Sequence, residues 1–355
     1  MHIAKSKIKV IVVGGGVMGA SVAWHLTKSG AAVTLIERSP GDDAAATASS
    51  FGWVGASAST PSDDPRAFAE RLMALEEFAR LGRDLGTLPI ATRGSLLWGD
   101  TEDETSAMIA EHRVAGTRMQ GLSRAQIIEK EPRLAAPPSL AAWAPDDFAL
   151  EPALFGNLLI SAAQADGAGI RYGTVEAIKT CGNRIEGVVV EGQALSADVV
   201  VLANGYGARN LASTVGIDLP IHQSPAVLMR FSAEADLIGH LLCVQDMELR
   251  PALRGGLVSP ADYPEEGEAG LTALAASTSS AIADLLSITE TPQLLSIGVA
   301  QRPMTVDGAP LCGEVGQIEG LYALVAHPGV ILAPRLGRLC AEAVFKVCPS
   351  HRPRS

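Results

Sequence analysis

The feature that most constrains the fold of this chain is residues 9–38, KVIVVGGGVMGASVAWHLTKSGAAVTLIER. Lys9–Val13 is a short β-branched apolar run, which predicts a strand buried on both faces. An apolar helical pattern follows, and Gly30 stands where a glycine ends a helix. A second apolar strand is predicted over residues 32–36. The segment therefore predicts a βαβ unit.

Three glycines and one acid give this unit a possible ligand. Gly14, Gly16 and Gly19 form G-x-G-x-x-G where the strand turns into the helix. In such a turn the glycines permit the bend, the approach of a pyrophosphate to bare backbone, and close packing of helix on strand. Glu37, about 20 residues beyond the first glycine, can accept hydrogen bonds from ribose hydroxyls. The combination predicts a dinucleotide site rather than an ordinary βαβ unit.

Composition bounds the class of protein. The 355 residues suffice for two domains or one large α/β domain with an insertion, and a 47% hydrophobic content supports sizeable cores. The net charge of −11, without long basic runs, argues against nucleic-acid partners and anionic membrane surfaces. The five cysteines and seven histidines lack the spacing of a disulfide framework or metal site. We therefore expect no metal.

The amino terminus resembles a secretory signal, because Lys5, Lys7 and Lys9 precede an apolar run. That run is the nucleotide fingerprint itself, and it continues in register to Glu37. No other segment approaches about 20 uninterrupted apolar residues, so no transmembrane segment is expected. These patterns predict a cytoplasmic location.

After Glu37 the regular alternation of strand and helix stops. Residues 39–62 are rich in small residues, which suits either a loop against a planar ligand or a flexible linker; Phe51 and Trp53 favour the loop. The proline- and alanine-rich stretch 132–145 is interpreted as the chain leaving an inserted region. Helices are predicted over 63–86, 102–115 and 151–165, and another is predicted to start near Ser123. Strands are predicted over 94–98, 174–178 and 198–202, and a hairpin over 184–196. Mixed strands and helices are predicted over 226–231, 257–260 and 269–286.

Two further motifs lie near the carboxyl terminus, GVAQRPMTVDGAPLCG (298–313) and GLYALVAHPGVILAPRLGRLCAEAV (320–344). The second predicts a strand over 321–326, a tight turn at His327, and a helix from Ile331 onward with Pro334 near its first turn. A second helix N-terminus is thereby expected to point from a strand end toward the nucleotide crevice.

In this order, the motifs resemble the D-amino-acid oxidase superfamily of flavoproteins, the branch with glycine oxidase, sarcosine oxidase and D-amino-acid dehydrogenase. GGGVMGASVAWHL resembles the glycine-oxidase fingerprint, RPMTVDGAPLCG the signature R-P-x-T-x-D-G-x-P-x-x-G, and HPGVILAP the turn H-x-x-G-I-L-L-A-P. The resemblance runs from about Lys9 to Ala343. It is thin over 59–145 and 220–295.

The resemblance implies an α/β (α+β) fold. A discontinuous, Rossmann-like FAD-binding domain would comprise residues 1–58, 146–219 and 296–355. A substrate-binding domain, with an antiparallel mixed sheet and helices, would comprise 59–145 and 220–295.

The resemblance also implies a set of FAD contacts. The pyrophosphate would be held by Gly14, Gly16, Val17, Met18 and Gly19. The adenosine end would be held by Glu37, Arg38 and the backbone of Val175. The flavin and phosphates would be lined by Ala48, Ser49, Ser50 and Gly52, with Ala203 and Gly205 at a second strand end. The pyrimidine edge would face Gly329, Val330, Ile331 and Leu332. Pro303 and Met304 occupy the region where sarcosine oxidase carries its flavin-linked cysteine, so FAD is expected to bind non-covalently.

Three residues are the implied substrate contacts, and no catalytic residue is assigned. Arg302 would fork onto the carboxylate of an amino acid, the alternative being a structural salt bridge. His327 would touch flavin or substrate, or serve only the turn. Glu248 would favour a substrate with a second positive charge, or be a solvated strand residue. Asp307 is assigned to a turn with Gly308.

The implied reaction is hydride transfer from the carbon bearing nitrogen to flavin N5, which gives an imine that water hydrolyses. Oxygen or a quinone would reoxidise the flavin. Two alternatives stay open: an FAD-binding subunit of a hetero-oligomeric amine, opine or hydroxyproline dehydrogenase, and an NAD(P)-dependent Rossmann dehydrogenase. The early end of the regular alternation argues against the latter. A homo- or hetero-oligomer is compatible with the sequence.

Overall fold

The computed structural model describes residues 7–39, 45–244 and 247–347. The described strands are β1 (Lys9–Val13), β2 (Ala32–Glu37), β3 (Trp53–Val54), β4 (Ile90–Trp98), β5 (Gln120–Ser123), β6 (Leu140–Leu150), β7 (Gly169–Tyr172), β8 (Val175–Cys181), β9 (Arg184–Val190), β10 (Gln193–Ser196), β11 (Val199–Leu202), β12 (Ile221–Phe231), β13 (Leu241–Val244), β14 (Met247–Pro251), β15 (Leu257–Asp262), β16 (Leu294–Thr305), β17 (Leu311–Glu314) and β18 (Leu321–Val325). The described α-helices are α1 (Val17–Lys28), α2 (Pro65–Leu85), α3 (Glu102–Val114), α4 (Arg124–Lys130), α5 (Pro152–Ala165), α6 (Gly207–Ser213), α7 (Leu271–Leu286) and α8 (Gly329–Val347).

A six-stranded sheet, in the order β17-β18-β11-β1-β2-β7, contains the predicted βαβ unit. All neighbours are parallel except β17, which pairs antiparallel with β18. Helix α1 is buried along its length from Val17 to Thr27 because it packs against α5 and α8. Gly30 has φ +95° just after the helix and is the predicted terminating glycine.

The contact between α1 and α8 is unusually close at one point. Ser21 of α1 donates a hydrogen bond to the carbonyl of Ala333 at 2.7 Å. One turn further along α8, a Cβ on Gly337 would lie 2.3 Å from Ser21 Oγ. Only a residue without a side chain fits there. The contact fixes the position of α8 on α1.

A nine-stranded, mostly antiparallel sheet forms the second layer, in the order β16-β12-β15-β14-β13-β4-β6-β3 with β5 beside β6. Successive side chains on each strand point to opposite faces. One face packs against α7 and includes Val227, Met229 and Leu249. The other face packs Leu228 and Val258 against Phe51, so it turns toward the loop that follows β2.

Most predicted elements are present with small shifts at their ends. Helix α2 begins after Asp64, whose side chain accepts a hydrogen bond from Ala67 N at 2.9 Å. Helix α3 starts with a capping box of Thr101 and Glu104, and α4 with one of Ser123 and Gln126. The predicted hairpin is β9 and β10.

The strand content of two stretches was missed. The prolines of 132–145 predicted an exit segment, but residues 140–145 belong to β6, where the register with β4 is irregular beside Pro145. Proline is tolerated at such irregular places because no ladder bond is lost. Two other prolines lie where the strand lacks a neighbour on one side: Pro303 is on the edge strand β16, and Pro225 precedes the part of β12 that pairs with β15.

The predicted domain boundaries at 145/146 and 295/296 fall inside β6 and β16. The division into two domains therefore stays a prediction. Residues 1–6, 40–44 and 348–355 of the predicted FAD-binding segments lie outside the described residues.

Among the described residues, the segment Gly267–Leu286 is long and apolar enough to cross a membrane by length and composition alone. Core helices of soluble proteins meet the same criterion. Here α7 packs against the nine-stranded sheet through Ala275, Ile282 and Leu286.

We predict that Gly337→Ala destabilises the FAD-bound protein by about 1–3 kcal/mol, because the added methyl group collides with Ser21. Gly82→Ala in α2 is the matched control, since a Cβ added there would meet no atom of a neighbouring element within 4 Å. The control should be neutral or stabilising by up to ~1 kcal/mol. Urea unfolding measures both variants, and equal stability of the two would contradict the close contact.

Candidate active site

Three neighbouring parallel strands end at the same edge of the six-stranded sheet. The carboxyl ends of β1, β11 and β18 lead into Gly14, Ala203 and His327. Since α1 and α8 begin just after β1 and β18 and pack together, their N-termini lie at this edge. A ligand crevice is expected at the carboxyl ends of strands in open α/β sheets.

The glycine turn before α1 has no room for side chains. Gly14 has φ +101°, and a Cβ there would lie 2.7 Å from Asn204 Cα. A Cβ on Gly19 would lie 1.8 Å from the Gly14 carbonyl oxygen. The turn therefore presents bare backbone at the α1 N-terminus.

The chain's own oxygens meet the N–H groups at this terminus. Val17 N–H donates to Thr47 Oγ1 at 3.0 Å, and Gly15 N–H donates to Glu37 Oε2 in a short contact. The other Glu37 oxygen accepts Ser39 N–H at 3.1 Å. These donors are the groups that a pyrophosphate requires, so the residues fit a dinucleotide. Thr47 was not predicted from sequence.

The remaining predicted cofactor residues surround this edge. Gly173 N–H bonds Glu37 O at 3.0 Å, which places Val175, two residues later, near the end of β2. Arg38 follows β2 and is exposed, and Gly205 lies near Pro303. Met18, Val330, Ile331 and Leu332 are buried at the starts of α1 and α8.

The loop of small residues crosses from this edge to the nine-stranded sheet. Its described part starts at residue 45, and residues 45–49 form a turn that includes Ala48. Ser49 reaches Gly298 of β16, where an added Cβ would lie 3.1 Å from Ser49 Oγ. After Ser50, Gly52 has φ +79° and accepts Leu150 N–H at 3.0 Å. The loop is therefore tied down rather than being a flexible linker.

Arg302 lies on the crevice-facing side of β16, opposite Ser224 of β12. Its Nη2 donates to Ser224 Oγ at 3.0 Å and to the Pro225 carbonyl at 3.3 Å. Its Nε is buried without a partner among the described residues. The ion pair with Asp262 is long, at 3.7 Å, and Asp262 is 95% exposed, so it contributes little.

His327 interacts electrostatically with two guanidinium groups. Burial lowers its pKa to about 4, and the positive charges of Arg302 and Arg71 act in the same direction. Its imidazole is therefore neutral above about pH 4. Arg71 of α2 was not predicted from sequence.

Arg71 also interacts electrostatically with an acidic group. Burial lowers the pKa of Arg71, and the charge of Asp147 opposes that shift. The Asp147 carboxylate accepts hydrogen bonds from Trp53 Nε1 at 2.8 Å, Ser95 Oγ at 3.0 Å and, in a short contact, Ser57 Oγ. Burial nevertheless raises the pKa of Asp147.

Glu248 of β14 stands opposite Cys243 of β13. Burial raises the pKa of Glu248. Burial, together with the charges of Glu248 and Asp147, raises the pKa of Cys243 to about 12, so this thiol stays protonated. Electrostatic interactions connect His327 with Arg302 and Arg71, Arg71 with Asp147, and Cys243 with Asp147 and Glu248.

Sequence reasoning missed three members of this crevice for different reasons. Arg71 lies on a helix whose amphipathic pattern explains it fully, and Asp147 falls in a strand that was not predicted. Thr47 lies within the small-residue loop beside the predicted contacts. A signal existed only for Asp147, as one of two adjacent acids in an otherwise apolar run.

Comparison with known proteins identifies the family of this chain and the cofactor that the family uses. A family model described as FAD dependent oxidoreductase (DAO) matches residues 9–343. The chain is 27% identical to a glycine oxidase of Geobacillus kaustophilus (strain HTA426), covering 94% of this chain and 92% of the relative. It is 24% identical to a D-amino acid dehydrogenase of Vibrio vulnificus (strain CMCP6), covering 95% and 96%.

Solved structures share the fold. Glycine oxidase from Bacillus cereus ATCC 14579 superposes with a TM-score of 0.82 at 22% identity, covering 98% of this chain and 99% of that one. The predicted α/β architecture with a mixed second sheet is therefore confirmed. The chain belongs to the DAO family of FAD-dependent oxidoreductases.

Proposed function

We propose that this enzyme oxidises the C–N bond of an amino acid, or of a related primary or secondary amine, to an imine. FAD would bind non-covalently, and oxygen or a quinone would be the final electron acceptor. The observation that carries the proposal is Arg302, a half-buried guanidinium with an unpartnered Nε on the sheet face that turns toward the crevice. The family match to an FAD-dependent oxidoreductase argues against the NAD(P) alternative.

The two helix N-termini would hold two different groups of FAD, the pyrophosphate at α1 and the flavin at α8. Gly15 N–H and Val17 N–H would turn from Glu37 and Thr47 to the pyrophosphate, which frees the Glu37 carboxylate for the ribose. The α8 N-terminus, from Gly329 onward, would face the pyrimidine edge, where its dipole favours negative charge. When bound, FAD supplies the acceptor for the hydride that leaves the substrate carbon.

Arg302 would bind the substrate carboxylate. Because Ser224 and the Pro225 carbonyl anchor Nη2, the guanidinium plane is fixed before substrate arrives. The remaining N–H groups can form the paired bonds that a carboxylate accepts. This contact would orient the substrate so that its C–H bond points toward the flavin.

His327 would support this orientation without adding charge. With a pKa of about 4 it is neutral under ordinary conditions, so it offers hydrogen bonds only. Because the His327 imidazole carries no charge, Arg302 would be the charged partner of the substrate carboxylate. Hydride removal requires a neutral amine, so the ammonium form of the substrate would first lose its proton to solvent.

The cytoplasmic location stays part of the proposal. It is supported by the presence of only one segment among the described residues, Gly267–Leu286, that meets the membrane-span criterion. That segment contributes apolar contacts to the nine-stranded sheet.

We predict that Glu37→Ala weakens FAD binding about 10- to 100-fold, because hydrogen bonds to an ionised group each contribute about 1.5–3 kcal/mol. Quenching of flavin fluorescence during titration of the flavin-free protein measures the Kd. Glu76→Ala on the exposed side of α2 should leave the Kd unchanged. An unaltered Kd for Glu37→Ala would remove Glu37 from the cofactor site.

We predict that the isolated chain, with FAD bound, loses its flavin absorbance when an amino acid is added anaerobically. We also predict that Arg302→Lys lowers kcat/KM about 10- to 100-fold, because lysine cannot form the paired hydrogen bonds to a carboxylate. A panel of glycine, sarcosine, D-amino acids, D-proline, hydroxyproline and opines identifies the substrate, and peroxide yield tests oxygen as acceptor. Exposed Arg254→Met is the control. Unchanged kcat and KM in Arg302→Lys would refute the role of Arg302.

Loss of absorbance only after a second polypeptide is added would instead support the alternative of an FAD-binding subunit. Absence of any response to amines and amino acids, with or without a partner, would contradict the proposed reaction itself.

A further inference from the structure

We propose that the crevice contains a second recognition site, centred on Glu248, for a positively charged group at the far end of the substrate. The preferred substrates would then be amino acids whose side chain ends in an ammonium or guanidinium group. This inference rests on the proposed oxidation of amino acids and specifies its substrate class.

The strand pattern places the Glu248 side chain on the crevice side of the sheet. Leu249, next to it, packs into the core beneath α7. Arg250, two residues from Glu248 and therefore on the same face, donates to the Phe51 carbonyl at 2.6 Å. Phe51 belongs to the loop that crosses from the cofactor edge. Glu248 therefore faces the crevice and not the α7 side.

Half-buried Glu248 differs from Glu131, Asp147 and Glu151 because its carboxylate lacks a partner in the described part of the chain. Glu131 accepts His240 Nδ1 at 2.7 Å, and Asp147 accepts three side-chain donors. Glu151 pairs with Arg250 at 2.9 Å and Arg230 at 3.1 Å. Within the described part of the chain, no hydrogen bond or ion pair joins the Glu248 side chain.

The pairing of Glu151 also shows why no neighbouring arginine neutralises Glu248. Burial alone would raise the pKa of Glu151, but the charges of Arg250 and Arg230 lower it to about 2. Arg250, the nearest cation along β14, donates through Nη1 to Glu151 and through Nε to the Phe51 carbonyl, and its Nη2 has no partner among the described residues. Across the strand pair stands the neutral thiol of Cys243. A half-buried, partly desolvated carboxylate without a protein donor favours a ligand that supplies one.

The other charged groups of the crevice interact with one another or with the substrate carboxylate. Glu248 is therefore left without a cationic partner in the described part of the chain. Arg71 lies in the field of Asp147. Arg302 is committed to the carboxylate end of the substrate by the proposed function. A substrate cation near Glu248 would therefore complete the pairing of positive and negative groups.

The strand register gives the separation between Glu248 and Arg302, which would bind the two ends of the substrate. Extending the β14–β15 register places Glu248 beside Pro260, in one row with Leu228 and Gly298. The Ser259 hydroxyl, which donates to the Glu248 carbonyl at 2.8 Å, supports this alignment. Arg302 lies four residues beyond Gly298 on β16. For a flat sheet the two Cα atoms would be roughly 20 Å apart, and the twist shortens this.

This separation suits a long substrate better than glycine. The long side chains of Arg302 and Glu248 lie on the same face of the sheet and cover part of the distance between their Cα atoms. We expect an extended amino acid with a terminal cation to span the rest of that distance.

The test compares substrates of similar length on the FAD-bound enzyme. Anaerobic flavin reduction is measured with both enantiomers of lysine, ornithine and arginine, and with norleucine, norvaline and glutamate. We expect the basic substrates to exceed the apolar ones at least 10-fold in the rate constant divided by Kd. Glu248→Gln should lower this ratio about 10- to 100-fold while leaving the apolar substrates within about twofold.

Two further variants guard against misfolding. Glu248→Asp keeps the charge and should retain part of the preference, whereas exposed Glu265→Gln should retain all of it. Binding is read independently of turnover from the flavin spectrum with 6-aminohexanoate and hexanoate. The aminated ligand should bind at least 10-fold more tightly, and Glu248→Gln should remove the difference.

The outcomes separate the two proposals. A preference for apolar or acidic substrates, or a preference unchanged in Glu248→Gln, would overturn the inference and leave the oxidation of amino acids standing. If no amine or amino acid reduces the flavin, both proposals fail.

Discussion

The close contact between α1 and α8 determines the geometry of the whole crevice. Gly337 allows α8 to approach Ser21 so nearly that any side chain would collide, and Ser21 bonds the Ala333 carbonyl. Because both helices start at carboxyl ends of parallel strands, this contact sets two helix N-termini side by side. Neither terminus alone defines a site for an extended cofactor. Together they provide N–H donors and positive dipole ends for two of its groups.

The nine-stranded sheet supplies the opposite wall, and its charges are arranged by strand alternation. Side chains that face α7 are apolar, whereas those that face the crevice include Arg302 and Glu248. His327 stays neutral because burial and two arginines act together on its pKa. Arg302 and Glu248 thus lie at separate positions on this wall, and they do not pair with each other. We propose that this separation is the physical basis for recognising a substrate at two ends.

The first βαβ unit and the terminal helix turn were predictable because their signals are local. Glycine spacing, apolar runs and Glu37 act within one stretch of chain, and the RPMTVDG and HPGVILAP motifs add a family resemblance. The length of β6 and β16 was not predictable, since prolines suppress strand signals and only tertiary pairing restores them. Arg71 and Thr47 enter the crevice through packing of distant elements. No local pattern distinguishes them from ordinary helix and loop residues.

The central claim is that the two adjoining helix N-termini bind one FAD molecule, and a crystal structure of the FAD-bound protein tests it most directly. The account predicts pyrophosphate oxygens about 2.7–3.2 Å from the backbone nitrogens at the start of α1, in place of Thr47 Oγ1, with the flavin pyrimidine edge at the start of α8. A pyrophosphate bound elsewhere, or a flavin remote from α8, would contradict it.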